Sequence, residues 1–382
     1  MVTSKVHRKW FTGVLAGLLL LVLTLPVLAD EALKVGLITP LTGSVSTFGI
    51  SVRNAVVMGV EQINEAGGIN GRPIELIIYD DKGDATEAAN SVRRLIDRDQ
   101  VVLVIGPVIT PCVLAAAPIA QGAGIPLMTP TGTGDTITSI GDMIFRAAYK
   151  DSFQGETMAR FAWEKMGLKK VAVIYDVAND YSTGVMNAFR QKYQELGGEI
   201  VSLESYSTND NDFSAQLTSI YVRKPEAVFI PDYYSAAGPI IMQARQLGIE
   251  VPLLGIDGWD SPELALLAGG YEEGGYFVNH YSTDDQTAST QAFIAAYEAQ
   301  FGIKPDALAA LGYDGILIVK AALEAADSTD PEAIRDALGT VTDIQGATGT
   351  INMDPEGTPV KSVVIIQIQN GQNVLVDKVD PN

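Results

Sequence analysis

Short β-rich runs alternate with longer helical patterns along most of this 382-residue sequence. In its first part, KVGLITPL (34–41), IELIIYDD (74–81) and VVLVIGP (101–107) are typical of strands. Between them, VRNAVVMGVEQINEAGG (52–68) and ATEAANSVRRLIDRD (85–99) are typical of amphipathic helices. Strands with apolar residues on both faces indicate a parallel sheet that is covered on both sides.

The same alternation resumes after Asp151. The predicted strands are 169–176, 199–206, 226–232 and 251–257, and the predicted helices are 155–166, 183–196, 213–222 and 236–247. Repeated β–helix–β units imply right-handed crossovers and an open, doubly wound sheet. Because the chain is too long for one ordinary core, we predict an α/β protein with two such sheets in two domains.

The first 29 residues have the pattern of a secretory signal peptide. Lys5, Arg8 and Lys9 precede an apolar run at 11–25, and PVLA (26–29) supplies small residues for cleavage after Ala29. An uncleaved membrane anchor is the alternative, because the run is nearly long enough to span a bilayer. No cysteine stands directly after the run, which argues against a lipoprotein anchor, and no second apolar stretch of spanning length occurs, so we expect a soluble, exported mature protein.

The strand ends of the predicted sheets are followed by polar, Gly-rich or aromatic loops. In open parallel sheets, ligands bind at the carboxyl ends of the strands, where such loops meet. The loops are TGSVSTFG (42–49), YDDKGD (79–84), GPVITPC (106–112), TPTGTGD (129–135), YDVANDYSTG (175–184), PDYYS (231–235) and GIDGWD (255–260). They predict a cleft, in which TPTGTGD is either plain turn chemistry or a cradle for a small polar molecule.

The charge balance argues against nucleic acid as a partner. The formal net charge is −20, and loss of Lys5, Arg8 and Lys9 with the signal peptide would make it −23. A surface this acidic repels phosphate backbones. The single cysteine, Cys112, lies in the apolar context PCVLAAAPIA, so we expect a buried and unreactive thiol.

The sequence offers little for catalysis. One histidine, His280, and one cysteine remain after residue 29, so Cys–His pairs and multi-His metal sites are severely limited. GTG (132–134) lacks the third glycine of a dinucleotide-binding fingerprint, and no P-loop sequence occurs. Catalysis by a pair of carboxylates is an alternative that the many Asp and Glu residues leave open, although no two of them have a spacing that indicates such a pair. We therefore predict no catalytic residue, cofactor or metal, and a packed or hydrogen-bonded His280.

Along these segments the chain resembles the type I periplasmic ligand-binding proteins, specifically the leucine/isoleucine/valine-binding branch that supplies ABC importers. The resemblance covers nearly all of the chain after residue 29, from KVGLITPLTGSVSTFG through NEAGGINGRPIELIIYDDKGD, VIGPVIT, GIPLMTPTGT, FRAAYKDSFQG and VAVIYDVANDYSTG to LGIDGWDSPEL. It implies two lobes joined by three strands. One lobe would contain 30–150 and 281–362, the other 151–280 and 363–382, with the ligand between them.

The resemblance also implies the residues that hold the ligand. Thr110, Thr131 and Thr133 stand where the family binds the carboxylate and ammonium of an amino acid, and Asp257 stands where it places an acid opposite the ammonium. A buried carboxylate is tolerated when several N–H and O–H donors surround it. The structural alternatives are a helix cap at 133–135 and a turn-forming aspartate before glycine.

Aromatic residues complete the implied site. Tyr181 and Tyr233 stand where the family has aromatic walls, and Phe48 replaces a tyrosine. Trp259 is a further candidate wall, without a firm family position. Such walls favour an apolar ligand side chain, although core packing is the ordinary role of each ring. The family's disulfide is missing, because Gly83 and Ile109 occupy its positions.

The predicted function is capture of an amino acid with a neutral aliphatic or aromatic side chain and its delivery to an ABC permease. The resemblance implies a periplasmic protein, and we expect a monomer. A sensory module that presents its ligand to a receptor is one alternative, and a binder of a small amide, urea or carboxylate is another. A carboxylate-based hydrolase is the least favoured.

Overall fold

The computed structural model describes residues 1–2 and 31–380 of the chain. The predicted signal peptide at 1–29 lies almost entirely outside these residues, so it stays a prediction. Within the described part, no helix is both long and apolar enough to cross a bilayer.

The first sheet has five parallel strands in the order β2-β1-β3-β4-β5. The elements that build it are β1 (Leu33–Thr39), α1 (Ser46–Glu65), β2 (Ile74–Asp80), α2 (Ala85–Arg94), β3 (Leu103–Ile105), α3 (Thr110–Ala123), β4 (Leu127–Thr129) and β5 (Ile144–Arg146). Every residue of β3 and β4 is buried, as expected for strands covered on both faces. The strand order is that of a doubly wound sheet, which confirms the predicted fold class.

The second sheet begins after residue 150 and repeats the same architecture. Its elements are α4 (Asp151–Arg160), β6 (Lys170–Asp176), α5 (Asp180–Glu195), β7 (Glu199–Tyr206), α6 (Ser214–Arg223), β8 (Ala227–Phe229), α7 (Tyr234–Gln246), β9 (Leu253–Gly255), α8 (Pro262–Ala268) and β10 (Tyr276–Asn279). Strands β6 to β10 pair in parallel. The predicted strands and helices of this region are confirmed, with ends that move by a few residues.

After β10 the chain returns to the first sheet and then crosses again. It forms α9 (Ala288–Phe301), α10 (Ala307–Ala326), α11 (Pro331–Leu338) and a small antiparallel sheet of β11 (Ile344–Gly346), β12 (Gly349–Met353) and β13 (Pro359–Val360). Helix α10 packs along α1. The last strands, β14 (Val363–Gln369) and β15 (Gln372–Val379), join the second sheet antiparallel, in the order β15-β14-β10-β9-β8-β6-β7. The second sheet is therefore mixed rather than purely parallel.

Helix α1 starts at Ser46, six residues before the predicted start, and so includes Phe48. The predicted loop 42–49 is thus partly helical. Gly49 lies close to the end of β1: an added Cβ would be 1.9 Å from the Pro40 carbonyl oxygen, and the Thr39 hydroxyl donates to the Gly49 carbonyl oxygen at 2.9 Å. A glycine in the first turn hid this start from propensity, because glycine disfavours helices unless a close approach requires it.

Candidate functional site

A buried arginine on β5 binds the backbone of the loop at 129–135. Arg146, which is fully buried, donates to the carbonyl oxygens of Thr133 and Gly134 at 2.8 Å each and of Gly132 at 3.4 Å. One planar guanidinium therefore binds three successive peptide carbonyls, which suits its fixed fork of donors. This cation is occupied by backbone and is not presented to a ligand.

The loop also packs against the start of α3 through threonine hydroxyls. The Thr131 hydroxyl donates to the Val108 carbonyl oxygen at 2.6 Å, and the Gly134 N–H donates to the Thr110 hydroxyl at 3.2 Å. A Cβ at Gly134 would lie 2.6 Å from Cγ2 of Thr110, so only glycine allows this approach. The Thr110 oxygen accepts from the loop, which leaves its own proton available to a ligand.

The segment 133–135 caps the next helix of the chain, α4, which is the structural alternative that the sequence offered for it. The Thr133 carbonyl accepts from the Asp151 N–H at 2.8 Å, and the Asp135 carboxylate accepts from the Ser152 hydroxyl at 2.6 Å. Both partners lie in the first turn of α4. The capping role and a ligand role are compatible, because the cap uses the Thr133 carbonyl, and the Thr133 hydroxyl oxygen can still accept from a ligand while it neighbours the Asp151 carboxylate.

Asp257 follows β9 and lies at the opposite side of the cleft. The Tyr181 hydroxyl donates to its Oδ1 at 2.5 Å and itself accepts from the Gly258 N–H at 2.9 Å. The His280 Nε2 lies 3.0 Å from Oδ2. Asp257 is 8% exposed, so its carboxylate is largely removed from water. Hydrogen bonds with neighbouring side chains stabilise it there.

Aromatic rings close the same space. Tyr181 and Tyr233 are stacked, with ring centroids 4.5 Å apart and planes 4° from parallel. Phe48 from α1 meets Tyr233 edge-on at 6.0 Å and Tyr234 at 4.9 Å. Phe48 lies on α1, which follows a strand of the first sheet, whereas Tyr181, Tyr233 and Tyr234 follow strands of the second sheet. This aromatic cluster therefore joins the two sheets.

These groups surround one cavity between the two sheets. The space between its atoms, open solvent included, is about 280 Å³. The lining residues are Phe48, Val108, Ile109, Thr110, Thr131, Thr133, Tyr181, Tyr233, Asp257, Gly258 and Leu308. The structure thus brings together seven of the eight residues that the sequence suggested, all except Trp259. Their roles towards a ligand stay predictions.

Trp259 is not among the lining residues. It is 1% exposed in the core of the second sheet, where its Nε1 donates to the Ile230 carbonyl oxygen at 3.1 Å. Its ring covers Gly255, at which a Cβ would lie 2.2 Å from the indole. A glycine at the end of β9 therefore makes room for the ring inside the core.

The sequence did not indicate several residues that line or support the cavity. Val108 and Ile109 lie in the GPVITPC loop and Gly258 adjoins Asp257, so proximity to the chosen residues could have found them. Leu308 comes from α10, which no loop pattern connects to the strand ends. Arg146 and the bond from His280 to Asp257 depend on contacts distant in sequence, for which the sequence gives no signal.

Burial sets the protonation of the surrounding groups. It raises the pKa of the Tyr181 and Tyr233 hydroxyls well above 10, so both remain proton donors at neutral pH. Burial lowers the pKa of His280 despite the neighbouring Asp257, which favours a neutral imidazole. It lowers the pKa of Arg146 to about 10, so this guanidinium is still cationic at neutral pH.

The thiol of Cys112 is buried, as predicted, and burial raises its pKa, so it is not a reactive nucleophile. Gly83 and Ile109 are neighbours: a Cβ at Gly83 would lie 3.7 Å from Cδ1 of Ile109. Among residues 31–380, no group of three or more His, Cys, Asp or Glu side chains has the arrangement of a metal site.

Comparison with known proteins gives consistent results. The family model described as periplasmic binding protein matches residues 32–373. The Leu/Ile/Val-binding protein homolog 3 of Brucella melitensis is 31% identical over 327 residues, which are 85% of this chain and 88% of that protein.

Solved structures with a similar fold differ in the ligand they hold. The branched-chain amino acid transporter substrate-binding protein LivJ of Streptococcus pneumoniae, in complex with isoleucine, has a TM-score of 0.87 and 34% identity, and covers 92% of this chain and 100% of its own. An ABC transporter solute-binding protein of R. palustris, in complex with benzoate, has a TM-score of 0.84 and 25% identity, and covers 92% and 97%.

Proposed function

This chain belongs to the periplasmic binding protein family, and on that premise we propose that it captures a free amino acid with a neutral side chain and delivers it to an ABC importer. The observation that carries the proposal is the composition of the cavity. Three threonines of the first sheet's loops face Asp257 of the second across one small space. A zwitterion supplies the two complementary ends that such a pair of walls can bind.

The proposed pose follows from the donors and acceptors on each wall. The ammonium would lie against the Asp257 carboxylate and the oxygens of Thr131 and Thr133, because a cation removed from water needs anionic or carbonyl partners. The carboxylate would accept from the Thr110 hydroxyl and from backbone N–H groups of the threonine loops. Several such donors stabilise a buried carboxylate without an arginine.

The charge of the cavity favours a zwitterion over a plain carboxylate. Among its lining residues, Asp257 is the single acidic side chain, and none of them is lysine, arginine or histidine. The nearby cation, Arg146, is taken up by carbonyl oxygens. A lone carboxylate such as benzoate would face Asp257 with no ammonium between them, at a cost in like-charge repulsion. An amino acid removes that repulsion.

The other residues that line the cavity favour an apolar side chain on the ligand. Phe48, Val108, Ile109 and Leu308 are apolar, and the stacked rings of Tyr181 and Tyr233 complete the wall. Ligand pockets with few placed polar groups and an apolar lining favour apolar substituents. We propose an aliphatic or aromatic side chain.

We propose that two lobes, 30–150 with 281–362 and 151–280 with 363–382, close over the ligand. The chain passes between the two sheets three times, after β5, after β10 and after β13. Contacts across the cleft join Phe48 to Tyr233 and the hydroxyls of Thr47 and Ser261, which are 3.0 Å apart. A ligand drives closure only if it binds the closed form more tightly. Export with cleavage after Ala29 and a monomeric state belong to the same proposal.

Two alternatives would use the same cavity, and one of them has specific support. The benzoate complex of a similar protein favours a binder of small carboxylates. A sensory module would use the same cavity, and uptake assays separate it from a transport protein: cells that lack the gene should lose high-affinity uptake of the bound amino acid only if the protein serves an importer.

A thermal-shift screen of the purified chain tests the ligand class. L-Leucine, L-isoleucine, L-valine and L-phenylalanine should raise the melting temperature, because ligands that bind only the folded state stabilise it. Benzoate and 4-methylpentanoate, which lack the amino group, should raise it far less. A micromolar Kd by calorimetry would correspond to roughly 8 kcal/mol. Tighter binding of benzoate than of every amino acid would refute the proposal.

A further inference from the structure

His280 lies at the point where the chain leaves β10 and returns to the first sheet. Its side chain is buried, and its Nε2 lies 3.0 Å from Oδ2 of Asp257. The backbone N–H of His280 donates to the Asn279 side-chain oxygen at 2.9 Å, which fixes the backbone there. The carboxylate that faces the proposed ammonium is therefore in direct contact with a segment that crosses between the sheets.

The hydrogen bond defines the tautomer of this imidazole. A carboxylate only accepts, so the proton must sit on Nε2. The other nitrogen, Nδ1, is buried without a hydrogen-bond partner. A second proton there would leave a buried N–H unsatisfied, which is costly. Geometry and burial thus agree on a neutral ring that donates through Nε2.

Neighbouring groups hold the ring in this position. Tyr149 stacks on the imidazole, with ring centroids 3.6 Å apart and planes 19° from parallel. The charged groups that act on His280 are Asp257, Asp314 and Lys361, and the latter two form a buried ion pair at 3.0 Å. Lys361 and Asp314 act on the ring with opposite signs and are paired with each other, so Asp257 is the charged group to which the ring itself bonds.

We propose that His280 is a positioning residue for ammonium recognition: its neutral imidazole holds the Asp257 carboxylate in the orientation that meets the amino group. Together with the Tyr181 hydroxyl it engages both carboxylate oxygens, and neither donor brings a positive charge. Neither partner therefore competes with the ammonium for Asp257. A lysine or arginine in the place of His280 would compete. This inference rests on the proposed function, in which Asp257 binds the ammonium.

A double-mutant cycle on the full chain tests this role, with L-leucine as the probe in calorimetry. His280→Leu should weaken binding by about tenfold, the equivalent of one hydrogen bond to a charged group. His280→Gln keeps an N–H donor and should recover part of that loss. In the Asp257→Asn background, His280→Leu should cause little further loss, because residues that act through one another are not additive.

Tyr281→Phe is the matched control. Tyr281 is the next residue in the same crossing segment, and its buried hydroxyl has no hydrogen-bond partner, so its removal should leave leucine affinity unchanged. A general disturbance of the segment would affect both variants. A ¹⁵N spectrum of histidine adds an independent measurement: the His280 signal, assigned by its loss in His280→Gln, should show a neutral ring protonated at Nε2.

The outcomes separate this inference from the proposed function. An equal loss from His280→Leu in both backgrounds, no loss at all, or a cationic or Nδ1-protonated ring would overturn the positioning role and leave the proposed function intact. Unchanged leucine affinity in Asp257→Asn would instead show that Asp257 does not bind the ammonium, and that result would also refute the proposed function.

Discussion

Replacement of Arg146 should test whether the threonine loop depends on one buried guanidinium. In Arg146→Met the side chain keeps a similar length but loses every donor. The Thr133 and Gly134 carbonyls each lose a 2.8 Å bond, and Gly132 loses a longer one of 3.4 Å. A hydrogen bond to a charged group contributes about 1.5–3 kcal/mol, so the two short bonds set a range of about 3–6 kcal/mol.

Other contacts of these carbonyls reduce that loss. The Thr133 carbonyl keeps the Asp151 N–H at 2.8 Å, and the Gly134 carbonyl keeps the Ile137 N–H at 3.2 Å. Neither oxygen is then left without a partner in the variant. Removal of the guanidinium also relieves the cost of burying a cation. We therefore expect a loss of about 3 kcal/mol in the free energy of unfolding, together with weaker leucine binding because the loop relaxes.

Urea unfolding followed by circular dichroism measures the stability, and calorimetry with L-leucine measures the binding. Arg223→Met is the matched control, because Arg223 is exposed at the end of α6 and its side chain forms no salt bridge or hydrogen bond within the described residues. Surface substitutions of this kind change stability by about 0.5 kcal/mol or less. If Arg146→Met were within 1 kcal/mol of the unmodified protein and bound leucine equally well, the loop would not depend on this residue.

Two further predictions concern loops at the strand ends of the second sheet. A Cβ at Gly258 would lie 2.7 Å from the Tyr181 hydroxyl and 2.8 Å from the Asp232 carbonyl oxygen, so Gly258→Ala should weaken leucine binding by about tenfold in calorimetry. Gly122→Ala, which meets no atom within 4 Å, should have no effect. Burial raises the pKa of Asp232 to about 7, so its contribution to stability is full below about pH 4 and lost as the pH rises through about 7. Asp232→Asn should reduce this fall between about pH 4 and 8 in urea unfolding, and an unchanged pH dependence would show that Asp232 does not cause it.

The sequence was sufficient for the fold because the relevant pattern is local. Each strand is a short apolar run and each helix has its own periodicity, and the rule that ligands bind at the carboxyl ends of parallel strands then selects the loops. This reasoning, with the family resemblance, chose Thr110, Thr131 and Thr133 on one wall and Asp257 on the other. All four line one cavity.

The sequence was insufficient wherever a position depends on packing between distant segments. Trp259 stands beside Asp257 in the chain, yet its ring fills the space over Gly255 in the core. Leu308 reaches the cavity from a helix nearly two hundred residues after Thr110, through the packing of α10 against α1. The antiparallel strands β14 and β15 likewise depend on a third passage between the sheets, which no local pattern reveals.

Both walls of the cavity are attached to segments that cross between the sheets. On one side, the Thr133 carbonyl and the Asp135 carboxylate bind the first turn of α4, directly after the first crossing. On the other side, Asp257 is bound by His280, at the second crossing. A rotation between the sheets would therefore move the hydroxyl wall and the carboxylate wall together with the crossing segments. In the proposed closure, a ligand that bridges the two walls would favour the one angle between the sheets at which both walls reach the ligand.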